Sequence, residues 1–222
     1  MKCRMCGTEI GWIGVCEDCT ALLVNTGVPS TEDRLRLRGV LGGLVGCSWG
    51  NWKDLSGQSS AEIEMNSGIS SLRCWRGDPP IVVLVGGCGT GKTHAAIATL
   101  RRFAAENGSR RSFRMWQETD LLRLISSASG FDGTRDEIHR QVFSVDLLVY
   151  DDLGASRSTD FTAEQRASIL TGRIDGGKWT IITTNLSQRE IAERISERLA
   201  SRLETALTIS TNAQRDFRRA NS

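Results

Sequence analysis

No stretch of this chain approaches the roughly 18 consecutive apolar residues that a membrane span needs. The opening MKCRMCGTEI also lacks the apolar centre of a secretory signal. The expectation is a soluble, cytoplasmic protein with no membrane partner. An excess of one charge is missing as well: 28 Lys and Arg stand against 26 Asp and Glu, for a formal net charge of +2. So even a balance excludes blanket electrostatic attraction to nucleic acid and leaves only local patches, of which Arg101, Arg102, Arg110, Arg111 and Arg114 form one candidate. An even cysteine count is lacking too. Seven cysteines fit poorly with a secreted disulfide framework, and four of them fall in two C-x-x-C pairs within the first 20 residues.

From Thr8 to Thr20 there are few apolar residues at helical spacing, so a fold there has to be held by its ligands. Cys3, Cys6, Cys16 and Cys19 offer four thiolates at two short spacings, the pattern of a tetrahedral structural zinc site. Two pairs without a surrounding β-α-β pattern argue against a redox dithiol, whereas iron would fit the same four sulfurs. A closed four-thiolate site leaves no position for water, so it folds a module and performs no hydrolysis. Cys47, Cys74 and Cys88 are left as small buried or incidental thiols.

Residues 25–78 shift to Gly and Ser, with LGGLVGCSWG and DLSGQSS, and read as a linker with short helices. The RLRLR run at Arg34 to Arg38 reads as the wet side of a helix or strand, or as a DNA-facing stripe. After Asp78-Pro79-Pro80 the pattern becomes regular. IVVLVG, SFRMWQ, VDLLVYDD and KWTIITTN are apolar runs of strand length. Helical spacing occupies Thr93 to Asn107, ETDLLRLISSAS, TDFTAEQRASILTGRI with Thr159 or Asp160 as N-cap, and ISERLASRLETA. Strands alternating with helices predict an α/β sheet covered on both faces.

GGCGTGKT, Gly86 to Thr93, matches G-x-x-x-x-G-K-[ST] between a predicted strand and a predicted helix, the context that makes this pattern specific. Backbone N–H groups of Gly86, Gly87, Cys88, Gly89, Thr90 and Gly91 would cradle phosphates, Lys92 would bridge the β- and γ-phosphates of ATP, and Thr93 would hold Mg²⁺. Cys88 sits at a variable position with no chemistry of its own. Asp151 and Asp152 end a buried strand at the carboxyl edge, where open α/β sheets bind ligands. Asp151 is placed for the Mg²⁺ shell, and Asp152 to orient or deprotonate water. Asn185 reaches the same edge from another strand and can fix a water without adding charge. Arg194, Arg198 and Arg202 follow on a helix, any of which could serve a neighbouring subunit's γ-phosphate, and position alone does not choose among them.

The stretch GKTHAA, the DDLG and TTNLS strand ends and the late SRL together resemble the helicase-loader branch of the AAA+ ATPases, which holds DnaC- and DnaI-type loaders and IstB-type transposition ATPases. The resemblance covers about residues 79–222. It implies a P-loop three-layer α/β sandwich, which the four-cysteine zinc module (1–24) and the linker (25–78) precede in the chain. It adds His94 to the nucleotide stretch, makes Asn185 a γ-phosphate sensor and favours Arg202 as the arginine finger, with Arg198 the alternative. Arg218, in RDFRR, resembles an Arg that senses nucleotide in cis. Implied with it is a slow, regulated ATPase that loads a hexameric replicative helicase on single-stranded DNA and self-associates through Arg202; the alternatives are a transposition helper ATPase, or a zinc-dependent adaptor that binds ATP with little hydrolysis. The second acid departs from the family's commoner Asp-Glu pair, which suits a switch better than a motor. Trp49 and Trp52 resemble paired aromatics ahead of the phosphate loop. Packing against the core or near the adenine, or stacking on a DNA base, are their possible uses.

Overall fold

The computed structural model describes residues 30–52, 60–107, 110–128 and 134–211. Five strands form one parallel sheet: β1 (Ile81–Val85), β2 (Phe113–Gln117), β3 (Leu147–Leu153), β4 (Trp179–Thr184) and β5 (Leu207–Ser210), in the order β2-β3-β4-β1-β5. Alternation along each strand feeds two cores. Val82 and Leu84 point to one face, Ile81 and Val83 to the other. The first face is covered by α1 (Thr31–Leu37), α2 (Ser60–Cys74) and α3 (Lys92–Asn107). The second is covered by α4 (Glu118–Ser127), α5 (Thr134–Phe143), α6 (Asp160–Asp175), α7 (Gln188–Arg194) and α8 (Glu197–Leu203). Burial on both faces is why the strands read as continuous apolar runs.

The sheet order creates the site. From β1 the chain crosses by α3 to the far edge at β2, while from β4 it crosses by α7 and α8 to β5 on the other side. The carboxyl ends of β1 and β4 therefore flank a reversal point, the place where such sheets hold ligands. Thr159 caps α6 by accepting the Thr162 N–H at 3.2 Å, as the TDFT signal predicts.

Three differences from the sequence expectation have physical causes. The helix expected from Ile195 through Ala206 is confined to α8, with Arg194 on the separate α7, and it ends at Leu203 because the chain then enters β5, a short half-buried strand on β1. The described part of 25–78 is no loose connector: Leu35, Val40, Val45, Ile69, Leu72 and Trp75 are all buried in the first core, and the Met115 N–H on edge strand β2 donates to the Arg38 carbonyl at 2.8 Å. Arginine supplies the third difference. The expected basic patch is largely consumed inside the fold, since Arg101 Nε donates to Cys47 O at 3.1 Å, Arg102 Nη1 to Leu72 O at 3.5 Å, and Arg114 is buried over the Trp116 ring. A planar fork of donors answers carbonyls that short helices and loops leave unpaired.

Truncating a core side chain costs about 2–5 kcal/mol, whereas exposed positions stay within about 0.5 kcal/mol. Leu35→Ala, at 0% exposure, should therefore fall in the first range and Leu41→Ala, at 47%, in the second, measured by urea unfolding. Equal small losses would return residues 30–52 to a connector.

Candidate functional site

The loop from Gly86 to Gly91 leaves β1 and turns straight into α3, so its N–H groups and the positive end of a 16-residue helix face one cleft. That cleft encloses about 480 Å³ and is lined by Cys88 to His94, Asp152, Ala155 and Asn185 on one side and Leu44, Cys47, Asn51 and Trp52 on the other. Gly91 has φ +90°, and a Cβ there would lie 2.9 Å from the Trp52 ring, so both backbone and space demand glycine. Trp52 in turn meets His94 edge-on at 5.3 Å and Trp49 at 5.8 Å. His94 is fixed by its Nε2, 3.0 Å from the Ser48 carbonyl. The Trp pair thus packs the 30–52 segment onto the phosphate loop and forms one wall of the cleft.

Lys92 is 5% exposed, and its ammonium donates to the carbonyls of Gly86 at 2.8 Å and Gly87 at 2.6 Å. Thr90 Oγ1 donates to Gly87 O at 3.0 Å and lies 2.8 Å from Thr211 Oγ1, which ties the loop to the end of β5. Beside it, Thr93 Oγ1 donates to Asp151 Oδ1 at 3.0 Å, and Thr183 Oγ1 donates to the same oxygen at 2.7 Å. Asp151 Oδ2 is buried with no hydrogen-bond partner among the described residues. Burial pushes the Asp151 carboxyl above the usual carboxylate range and Asp152 adds to this, against the two hydroxyl donors and the Lys92 charge. A hydroxyl and a carboxylate with a buried open oxygen are a hard-oxygen donor set that suits Mg²⁺.

Asp152 turns the other way. The β3–β4 register shifts between Tyr150 and Leu153, and Asp152 adopts φ +59° with its N–H donating to Thr183 Oγ1 at 2.8 Å. Such a bulge re-aims a side chain next to a ligand site, and Asp tolerates left-handed backbone better than most residues. Asn185 is exposed at the cleft with its Nδ2 3.7 Å from Cys88 Sγ.

Thr93 and Asp151 are thus joined directly, the Lys92 charge acts on the Asp151 carboxyl from the adjoining loop, and Asp152, Asn185 and His94 share their cleft. Arg202 does not join them: it forms an ion pair with Asp175 of its own chain, and Arg198 is exposed with no ion pair among the described residues. Cys3, Cys6, Cys16, Cys19 and Arg218 lie outside the described residues. Unforeseen is a buried pair beneath the acidic strand end. Glu118 and Arg166 are 0% and 1% exposed and bonded at 2.9 Å. The only trace in the sequence is an acid opening the helix after β2.

Residues 54–207 match the family described as IstB-like ATP binding protein. Over 131 residues, 56% of this chain, there is 34% identity to the chromosomal replication initiator protein DnaA of Ureaplasma parvum serovar 3, and the match spans 28% of that protein's length. Among solved structures the DnaC helicase loader is similar at TM-score 0.61 and 23% identity, covering 76% of this chain and 98% of that one. DnaI is similar at TM-score 0.59 and 21% identity, covering 76% and 92%. These structural likenesses establish the fold, a P-loop α/β domain with a five-stranded parallel sheet like that of DnaC and DnaI.

An acid with a raised folded-state pKa holds its proton more tightly folded than unfolded, so its contribution to stability is lost as pH rises through that value. The unfolding free energy of nucleotide-free Asp151→Asn should therefore gain on the parent as pH rises above the ordinary carboxylate range, and the gain should level off once the Asp151 carboxyl is ionised in the folded protein. The same variant should lose the Mg²⁺-dependent part of the thermal stabilisation by ATP. A pH-independent difference would contradict the burial argument.

Proposed function

The chain belongs to the IstB-like ATP-binding proteins, and from that premise we propose that it is a regulated AAA+ ATPase that loads a replicative helicase onto single-stranded DNA. The observation that carries the ATPase reading is the convergence of Lys92, Thr93 and Asp151 at the start of α3. ATP enters with its phosphates in the loop, and the Lys92 ammonium exchanges two carbonyls for β- and γ-phosphate oxygens. Thr93 and Asp151 would hold Mg²⁺, which supplies charge neutralisation on the phosphates when bound. Asp152, aimed into the cleft, orients and deprotonates the attacking water. Asn185 offers a neutral amide to the water or the γ-phosphate.

Assembly supplies the remaining charge. Arg202 acts in trans only after leaving Asp175, and that pair is partly exposed, with side chains 27% and 54% accessible. Exposed ion pairs contribute about 0–1 kcal/mol, so an incoming subunit's phosphates compete easily. Arg218 senses nucleotide in cis in this reading. Cys3, Cys6, Cys16 and Cys19 form the zinc module that grips the helicase, carried by residues 1–24 ahead of the linker and the ATPase domain.

The family match also favours a second reading, in which the same core serves a transposase at target DNA, because the family's description carries the IstB name. Purified host helicase and transposase, offered separately to the immobilised full chain, decide between the two. Capture of helicase that is lost on deleting residues 1–24 while ATP binding persists supports loading. Capture of transposase alone supports the second reading.

Lys92→Ala should lower ATP turnover by about 100-fold or more, the scale of losing one preorganised charge donor. Turnover is measured with DNA and helicase present. An unchanged rate would remove the ATPase reading.

A further inference from the structure

Beneath the acidic strand end lies a buried cluster that nothing above uses. Glu118 opens α4 directly after β2, and its carboxylate receives donors from three other parts of the chain. Oε1 accepts the Ser156 N–H at 3.0 Å and Arg166 Nη2 at 2.9 Å, while Oε2 accepts the Gly154 N–H at 2.9 Å and the Tyr150 hydroxyl at 3.4 Å. Arg166 Nη2 also donates to the Ser156 carbonyl at 2.7 Å. Both sides of the Ser156 peptide environment are therefore held by one ion pair.

The clamped residues follow Asp152 at once. Ala155 N–H donates to the Asp152 carbonyl at 3.0 Å, closing a turn in which Asp152 sits at φ +59° and Gly154 at φ +90°. A Cβ on Gly154 would lie 2.4 Å from Leu186 Cδ1, so the turn has no room to drift toward β4. A left-handed Asp persists only where its surroundings over-determine it. Glu118 and Arg166 provide that determination from below, Thr183 from the side.

Buried ion pairs are often replaceable by apolar residues without loss of stability, so retention of this one calls for another explanation than stability alone. We propose that Glu118 and Arg166 are positioning residues for ATP hydrolysis: they hold the turn from Gly154 to Ser156 so that the Asp152 carboxylate stays aimed at the attacking water. The proposal rests on the ATPase reading above. It also ties α6, through Arg166, to the geometry of the water site. Neither residue touches nucleotide, so the pair acts on turnover and not on nucleotide affinity.

Steady-state ATP hydrolysis by the full chain, with AMP-PNP binding as a second readout, tests it. Glu118→Asp keeps the charge but withdraws the carboxylate from the Gly154 and Ser156 N–H groups. Its kcat should fall about ten-fold or more while KM for ATP and the AMP-PNP Kd stay within about two-fold. Added to Asp152→Asn, the same change should cost no further activity, because both act through one carboxylate. Should Glu118→Asp fail to fold, the apolar replacement Glu118→Leu with Arg166→Met leaves no unpaired charge and should show the same kcat loss with intact AMP-PNP binding. An active parent sensitive to Asp152→Asn but indifferent to Glu118→Asp, or additive losses in the double variant, overturns the positioning role alone. A parent without turnover under every condition overturns the ATPase reading and this proposal together.

Discussion

A carboxylate ending a fully buried strand has to be compensated, and Asp151 receives only half of what it needs. Two hydroxyls, from Thr93 and Thr183, bond one oxygen, while the other is buried with no hydrogen-bond partner among the described residues. Leaving such an oxygen unmatched costs about 1–3 kcal/mol or more. Everything around it is arranged to make that deficit useful: β1 and β4 bring the loop and Thr183 beside β3, α3 starts with Lys92 and Thr93, and the bulge sends Asp152 away from Asp151 into the cleft. A cation bound beside the loop would satisfy that oxygen.

The second dependence is on the layer contributed by residues 30–52. Trp49 and Trp52 press on the phosphate loop, His94 is bonded to Ser48, and Arg101 reaches the Cys47 carbonyl. Sequence before the first strand thus forms the far wall of the cleft. Movement there would reshape the cleft.

Much of this was legible without coordinates. The phosphate loop, the acidic strand end and four of the strands follow from apolar runs bounded by glycine, proline and polar residues. What stayed hidden has three causes. β5, LTIS, is four residues long with one buried side chain, too short for any period to show. α5, TRDEIHRQVF, has a sparse apolar stripe and reads as a polar connection until Ile138 and Val142 are seen against the second core. Arginine misleads most, because burial and exposure look alike in sequence: Arg114 belongs to the candidate basic patch and proves to be inside, as do Arg166 and Arg173, with Arg173 held by the Val142, Val145 and Trp179 carbonyls and lowered by burial to a pKa of about 10. The pairing of Glu118 with Arg166, 48 residues apart, cannot be read from the acid that opens α4 alone.

The central claim is that one site built on Lys92, Thr93 and Asp151 takes Mg²⁺ and ATP. A crystal structure with Mg²⁺ and AMP-PNP tests it most directly. The predicted result is a metal with Thr93 Oγ1 at about 2.0–2.1 Å and Asp151 in its shell, directly or through water, and the Lys92 ammonium moved from the Gly86 and Gly87 carbonyls onto phosphate oxygens. A nucleotide bound elsewhere, or Lys92 still seated on those carbonyls beside a bound triphosphate, would contradict it.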